Sequence, residues 1–273
     1  MRRFLLAMAM CGMTAGAQAA DLSDLPILRG GFTDGLTSTR VNWSGVYVGG
    51  HVSRGGADMD FTNASQDLLA KLLNNIDVET QFDISKWPVG ERAHSSGTGY
   101  GGFVGYNLQW TDALLGVELN YTHGTLFGTS KGSQSRSFQF PTDYITTAAI
   151  SSASSMRLTD YGSLRVRGGY SVGSFLPYAF IGVAMGQADI TRRADATLDY
   201  LYVGTNGLPN LHASGFLTDN ANSHFVTGFA AGMGVDWMMC AGLFLRAEWE
   251  YLRFTSKVDT TVNTARVGIG YKF

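Results

Sequence analysis

The chain has 273 residues, of which 45% are hydrophobic, 15% charged and 12% aromatic, with 35 glycines and 5 prolines. So low a charge and so high an aromatic content exclude a disordered chain, and a formal net charge of -2 gives no general attraction to nucleic acid. No run of about 18 apolar residues occurs, which excludes a membrane-spanning helix. Membrane-spanning strands carry a weaker hydropathy signal, so a β-structured membrane protein stays open.

The first residues have the three parts of a secretory signal. Two arginines follow the initial methionine, residues 4–17 are apolar and small, and residues 17–19 spell Ala-Gln-Ala, a small-x-small cleavage pattern. This pattern predicts export, with cleavage after Ala19. Cys11 leaves with the signal, so Cys240 is the single cysteine of the mature chain and no intrachain disulfide can form.

Beyond the signal, segments of about ten residues alternate bulky apolar side chains with small or polar ones. Leu115, Val117 and Leu119, for example, share one face of their segment, whereas Glu118 lies on the other face. Side chains that alternate with a period of two indicate strands. Eight strands are predicted, at 46–52, 100–110, 115–122, 163–170, 176–185, 225–237, 243–251 and 265–273.

The connections between these strands alternate between short and long. Short ones follow Trp110, Tyr170 and Trp237. This alternation is typical of an all-β, eight-stranded antiparallel transmembrane β-barrel with short periplasmic turns and long extracellular loops. The predicted organisation is a signal peptide at 1–19, a periplasmic N-terminal lead at 20–41 and an outer-membrane β-barrel at 42–273. The predicted long connections are about 54–97, 123–157 and 188–222, with a shorter one at 254–262.

The bulky face of each strand is predicted to point outward into lipid. An eight-stranded barrel has an interior just wide enough for side chains to fill, so the smaller, glycine-rich face is the better lining. A soluble barrel with the bulky face inside is the alternative. Charges on the lining face must pair in a narrow interior, and we expect a salt-bridge network that plugs the lumen, with an ion-selective constriction as the alternative. The predicted lumen charges are Glu118, Arg165, Arg167, Asp236, Arg246, Glu248, Glu250 and Arg266.

Aromatic residues cluster at the strand ends, as expected for two belts at the membrane–water interfaces. Strand propensity alone predicts aromatic residues but not their position at the ends. The predicted interface residues are Trp110, Tyr170, Trp237, Tyr271 and Phe273 near the short turns, and Tyr100, Tyr121, Trp249 and Tyr251 near the opposite ends.

The segment at 42–50, Asn-Trp-Ser-Gly-Val-Tyr-Val-Gly-Gly, resembles the opening of the alphaproteobacterial outer-membrane surface antigens of RopB and opacity-protein type, often termed porin-family small β-barrels. The ending at 265–273 resembles their last strand, and its Tyr271 and Phe273 resemble the signal read by the barrel-assembly machinery. The resemblance covers about 42–273. It implies an eight-stranded outer-membrane protein that contributes to envelope integrity, surface contact and sometimes small-solute passage, with no shared catalytic motif.

Other motifs carry less. The Gly-x-Gly-x-x-Gly match at 97–102 precedes a strand rather than a helix, so it fails the context of a dinucleotide site. No two of the five histidines stand at metal-ligand spacing, and no catalytic, metal or cofactor site is predicted. The leucine-rich segment 63–76, with Asn63 and Gln66 as a capping box, predicts a short loop helix over the barrel mouth, with a partner-binding surface patch as the alternative.

Three functions follow from these patterns. The first is a structural and surface-contact barrel whose loops meet outer-membrane lipid, lipopolysaccharide and an external partner. The second is a small-solute porin, although eight strands leave little room for a channel. The third is an outer-membrane hydrolase acting on lipid A or peptides, for which His123 is the residue to test.

Overall fold

The computed structural model describes residues 41–74 and 76–273. The predicted signal peptide at 1–19 and all but the last residue of the predicted lead at 20–41 lie outside this range. The eight predicted strands are confirmed as one closed antiparallel barrel, in which each strand pairs with the next and the first with the last. The strands are β1 (Gly45–Asp60), β2 (Arg92–Trp110), β3 (Ala113–Gln139), β4 (Tyr144–Tyr170), β5 (Phe175–Tyr202), β6 (Leu211–Cys240), β7 (Leu243–Thr255) and β8 (Asp259–Lys272).

The short turns lie where the alternation predicts them. Residues 111–112 join β2 to β3, residues 171–174 join β4 to β5, and residues 241–242 join β6 to β7. Ala241 and Gly242 both have positive φ, at 26° and 89°. A tight hairpin needs this sign of φ because its twist then matches the twist of the flanking strands.

On the opposite side the excursions are long, but the predicted loop boundaries are wrong because the strands continue through most of them. β3 and β4 run 27 residues each and meet at a turn of four residues, 140–143. β5 and β6 run 28 and 30 residues, separated only by 203–210. Among the described residues, irregular chain is confined to 41–44, to 61–91, which carries short helices, to 203–210 and to the turns.

The strand extensions that were not predicted reverse the pattern of the predicted strands, in which apolar side chains face outward and charges face inward. Near the short turns, in the part we call the lower barrel, bulky apolar side chains are exposed outside and charges are buried inside. Past the level of Tyr100 and Tyr121, in the upper barrel, the outward face becomes mainly polar and the inward face mainly apolar. Small outward residues such as Thr147 and Ser151 therefore hide the alternation. Exposed polar residues there include Asp58, Lys131, Thr191, Arg193 and Arg253, and buried apolar ones include Met59, Leu126, Met156, Leu158 and Phe254.

The connection 61–91 contains two short helices, α1 (Gln66–Leu72) and α2 (Asp77–Phe82), followed by a 3₁₀ turn at Ile84–Lys86. α1 is shorter than the predicted 63–76 helix, and its N-cap is Ser65 rather than Asn63. The predicted capping box does not form, because the Gln66 side-chain amide donates to the Asn63 side-chain oxygen instead, at 3.1 Å. Leu68 and Leu69 are buried against β4 and β5, which holds α1 to the inner face of the upper barrel. Among the described residues, no helix combines the length and the apolar character needed to cross a membrane.

Candidate functional site

The strand register places three acidic residues directly beside three arginines on neighbouring strands. Glu118 on β3 is the partner of Arg165 on β4. In the same way, Asp236 on β6 is opposite Arg246 on β7. The third pair is Glu248 on β7 with Arg266 on β8. All of these side chains point into the lumen and are at most 5% exposed.

A second set of ion pairs crosses the lumen and links the three cross-strand pairs. Arg165 donates to Glu248 at 2.7 Å and also pairs with Glu118. Arg246 donates to Glu118 at 2.8 Å. Arg167 donates to Asp236 at 2.7 Å. Glu250 on β7 joins the cluster through Arg266 on the neighbouring strand β8. The eight predicted lumen charges thus form one connected cluster of four arginines and four carboxylates.

Aromatic rings complete the cluster. The guanidinium of Arg165 lies 4.0 Å from the ring centroid of Phe180, and that of Arg167 lies 3.9 Å from Tyr178. The Tyr178 hydroxyl donates to Glu248 at 2.8 Å. A cation over a desolvated ring gains up to about 2 kcal/mol, so these rings offset part of the cost of removing the arginines from water.

The charged cluster lies between two apolar layers. Toward the short turns, a lower layer closes the lumen, and toward the opposite end the apolar interior of the upper barrel does the same. Charges held between such layers cannot exchange their partners for water without opening the barrel. We call this cluster the lumen plug. The lower layer consists of Trp43, Tyr47, Phe103, Leu114, Leu176 and Phe244.

Four uncharged residues that contact the lumen plug were not among the predicted site residues. Tyr47 donates its hydroxyl to Glu118 at 2.6 Å, and Asn120 accepts from Arg266 at 2.9 Å. Tyr47 and Asn120 occupy the inward parity of their strands, so the alternation alone placed them on this face. Tyr178 and Phe180 lie on β5, whose two faces are both apolar, and no signal in the sequence distinguishes their direction.

The nine predicted interface aromatics lie on the outward face of the lower barrel. Eight are exposed and Tyr251 is half-buried beside Phe229, with 5.8 Å between ring centroids. Trp237 stacks on Phe175 at 5.9 Å beside one short turn. Tyr271 and Phe273 contact one another at 5.1 Å at the end of the last strand. Exposed in this sense are Tyr100, Trp110, Tyr121, Tyr170, Trp237, Trp249, Tyr271 and Phe273.

A second ion cluster joins α1 to the upper barrel and was not predicted. Arg192 on β5 donates to Asp67 at 2.7 Å and also pairs with Asp219 on β6. It donates to the Ala64 carbonyl oxygen as well, at 2.5 Å. Burial acts to raise the pKa of Asp67, but the bonds from Arg192 and the charge of Lys257 outweigh it and hold that pKa below its ordinary value. This cluster ties the 61–91 connection to β5 and β6.

The glycine motif, His123 and Cys240 do not form a catalytic or ligand-binding site among the described residues. The glycines at 97–102 lie within β2, so no dinucleotide-binding turn exists there. His123 lies on the outer face, with its Nδ1 2.7 Å from the Asp160 carboxylate, which also accepts from the Tyr121 hydroxyl at 2.6 Å. Cys240 is a free, exposed thiol at the end of β6. In the part of the chain that the structure describes, no group of three or more His, Cys, Asp or Glu side chains is arranged to hold a metal ion.

Comparison with known proteins places these features in context. The chain is 26% identical over 174 residues to a 25 kDa outer-membrane immunogenic protein of Brucella ovis, which covers 63% of this chain and 62% of the relative. The protein of the same name from Brucella canis is 30% identical over 122 residues, 41% of this chain and 46% of the relative. The chain thus spans less than two thirds of the length of these relatives. The predicted resemblance to outer-membrane surface antigens is confirmed.

Solved structures with a related fold are more distant. The attachment invasion locus protein Ail of Yersinia pestis covers 84% of this chain and 99% of its own, with 12% identity and a TM-score of 0.34. Neisserial surface protein A covers 84% and 98%, also with 12% identity and a TM-score of 0.34. The family model of the outer membrane protein beta-barrel domain matches residues 4–273. The chain therefore lies in the outer membrane and belongs to the family of outer membrane protein β-barrel domains.

Proposed function

We propose that this barrel is a structural and surface-contact protein of the cell envelope, which holds a rigid β-sheet above the outer membrane. The observation that carries the proposal is the length of β3–β6. A tilted strand crosses the bilayer with about 9–11 residues, whereas β5 has 28. Residues 188–202 of β5, at about 3.3 Å per residue, project on the order of 50 Å along the strand direction. We call this projection, residues 125–139, 144–159, 188–202 and 211–224, the extracellular sheet.

The contacts of the extracellular sheet support a rigid platform rather than loose loops. α1 and α2 pack an apolar cluster against its inner face, where Leu69, Ile84 and Ala148 are each fully buried. The Arg192 cluster ties the same connection to two strands of the sheet. The outer face carries mainly polar side chains, as suits a surface in water, although Phe127, Ile145 and Phe216 are also exposed there. A rigid, ordered platform loses little conformational entropy when it binds an external partner.

The lipid-facing band and the chain ends complete the proposal. Cleavage after Ala19 releases the mature chain for export, and the barrel-assembly machinery reads Tyr271 and Phe273 at the last strand. The exposed aromatics anchor the lower barrel at the two interfaces, with lipid and lipopolysaccharide around it. The lumen plug stiffens the wall. The proposed activity is therefore mechanical and adhesive, and it needs no cofactor, catalytic site or nucleic acid.

The decisive experiment tests the contribution of the extracellular sheet separately from that of the lower barrel. A strain lacking the chain is complemented with the full protein or with a trimmed barrel in which the β3–β4 and β5–β6 hairpins end near the register pairs 131 with 153 and 194 with 217. Both proteins must show heat-modifiable migration on a gel. We expect the trimmed barrel to restore resistance to detergent but not attachment to host-cell or matrix surfaces. Full attachment by the trimmed barrel would overturn the surface-contact role.

The porin alternative is tested in planar bilayers. Since the buried charges of the lumen plug occupy the interior, we expect the full chain to give no stable stepwise conductance. Conductance that disappears in Arg165→Ala or Glu248→Ala would favour the porin instead.

The hydrolase alternative is tested by incubating the refolded chain with lipid A and a peptide library. Turnover that is lost in His123→Ala would establish an enzyme.

A further inference from the structure

A groove of about 910 Å³ lies on the outer face of the barrel across β8, β1, β2 and β3. It begins where β3 leaves its register with β4, between His123 and Leu126, and where the pairing of β2 with β3 ends at Gly99 and Gly124. Glycines form its floor. A side chain added at these positions would collide with the backbone of the neighbouring strand. A Cβ on Gly97, for example, would lie 2.6 Å from the Thr125 carbonyl oxygen.

The groove sits at the boundary between the apolar and the polar outer surface. Its lower wall is Val52 and Val267, which are 64% and 60% exposed and belong to the lipid-facing band. Tyr100, one of the upper interface aromatics, is the register partner of Val52 on β2. Arg54 stands two residues above Val52 on the same outward face. This is the depth at which lipid headgroups meet acyl chains.

Arg54 is a cation without a counter-ion among the described residues. Within 41–74 and 76–273, it has no hydrogen bond or ion pair, although it is exposed at the groove. The nearest acids above it on β1 are already paired, since Asp58 binds His94 at 2.8 Å and Asp60 binds Arg92 at 2.9 Å. An arginine left unpaired beside an apolar slot matches an amphiphile that has an anion at its head.

We infer that this groove binds the phosphorylated headgroup of an outer-leaflet lipid. The guanidinium of Arg54 donates two parallel N–H bonds to the phosphate oxygens, a geometry that arginine provides and lysine does not. The Tyr100 hydroxyl and Thr98 border the sugar or glycerol part of the headgroup. An acyl chain lies over Val52 and Val267. The site belongs to the lipid-embedded wall and is independent of the extracellular sheet, so it holds whether or not that sheet binds an external partner.

The test uses the full chain folded in nanodiscs of zwitterionic lipid and a fluorescent bisphosphorylated lipid A as the probe. We expect Arg54→Ala to weaken the apparent Kd about tenfold, because a hydrogen-bonded charge pair is lost. Arg54→Lys should recover only part of that loss. The matched control is Arg193→Ala, an exposed arginine on β5 that pairs with Asp195 outside the groove, and it should bind the probe as the wild type does.

Two further arms use the wild-type protein, so a variant that fails to fold does not decide the outcome. Lipid A without its phosphates should bind at least about tenfold more weakly, and inorganic phosphate at millimolar concentration should not displace the probe. Equal binding of the dephosphorylated lipid, or wild-type affinity in Arg54→Ala, would refute the site. Displacement by inorganic phosphate would show a free-anion site and would refute the assignment to a lipid.

Discussion

Neutralising Glu118 is the sharpest test of the lumen plug. Its carboxylate accepts from the Tyr47 hydroxyl at 2.6 Å, from Arg246 at 2.8 Å, from Arg167 at 3.2 Å and from Arg165. Glu118→Gln keeps the volume and removes the charge, and it turns an amide N–H₂ group toward guanidinium donors. Removing one partner from a buried ion pair costs about 3–5 kcal/mol.

The expected loss lies near the lower end of that range. Each of the three arginines keeps another carboxylate, since Arg165 also binds Glu248 at 2.7 Å and Arg167 and Arg246 share Asp236. We therefore expect the free energy of unfolding to fall by about 3 kcal/mol, a factor of about 150 in the equilibrium constant. Combining Glu118→Gln with Arg165→Met restores the charge balance and should recover part of the loss.

The measurement is urea unfolding from lipid vesicles, followed by tryptophan fluorescence. Asp195→Asn is the control, because its partner Arg193 is exposed and surface pairs contribute little; it should leave the midpoint unchanged. A loss below about 1 kcal/mol for Glu118→Gln, as for a surface pair, would show a water-filled lumen and refute the dry plug. A double variant less stable than the sum of its single changes would refute the pairing.

Three other changes test the rest of the fold. Leu69→Ala removes a fully buried side chain of α1 and should loosen the 61–91 connection by about 2–5 kcal/mol, seen as faster protease cleavage there with unchanged heat-modifiable migration; unchanged cleavage would contradict it. The Asp67–Arg192 contact stabilises the folded connection fully at pH above the ordinary Asp67 pKa of 3.8, and this stabilisation is lost as the pH falls through the lower pKa of the folded state. Protection of the connection from protease should therefore fade only below about pH 4. Asp67→Asn should abolish that pH dependence. Gly101→Ala places a Cβ 1.9 Å from a β3 carbonyl oxygen, against 3.6 Å for the nearest contact of Gly50→Ala, so folding yield should drop in the first variant and not in the second.

The lower barrel was predictable because its two faces differ in both size and polarity. A strand with lipid on one side and a narrow lumen on the other must carry bulky apolar residues outside and small or charged ones inside. Leu119 and Val166 are exposed as predicted, and the residues that precede them on their strands, Glu118 and Arg165, are buried. Except in β5, whose two faces are both apolar, the parity of each residue in its strand was enough to choose between the two faces.

The upper barrel was not predictable by the same rule, because water replaces lipid outside. In β4, Ala148 and Ser152 are buried while Ala149 and Ser151 lie on the other face, and such pairs do not differ enough in hydropathy to reveal a strand. β4 and β6 also change parity: β4 buries Leu158 and then Tyr161, at an irregularity in its pairing with β5. A period-two pattern that shifts by one residue looks like irregular chain.

The sequence by itself determined the fold class, the side of each lower-barrel strand other than β5 that meets lipid, and the eight charges of the lumen, because a period of two assigns each residue to a face wherever the two faces differ. Only the tertiary structure decided which charge binds which. A strand can slide by two residues without changing its faces, so Glu118 meets Arg165 through the closure of the barrel and its register, and Arg246 reaches Glu118 across the lumen. The same closure brings Val267 of β8 and Tyr100 of β2 beside Val52 and Arg54 of β1, a contact that no single stretch of sequence contains.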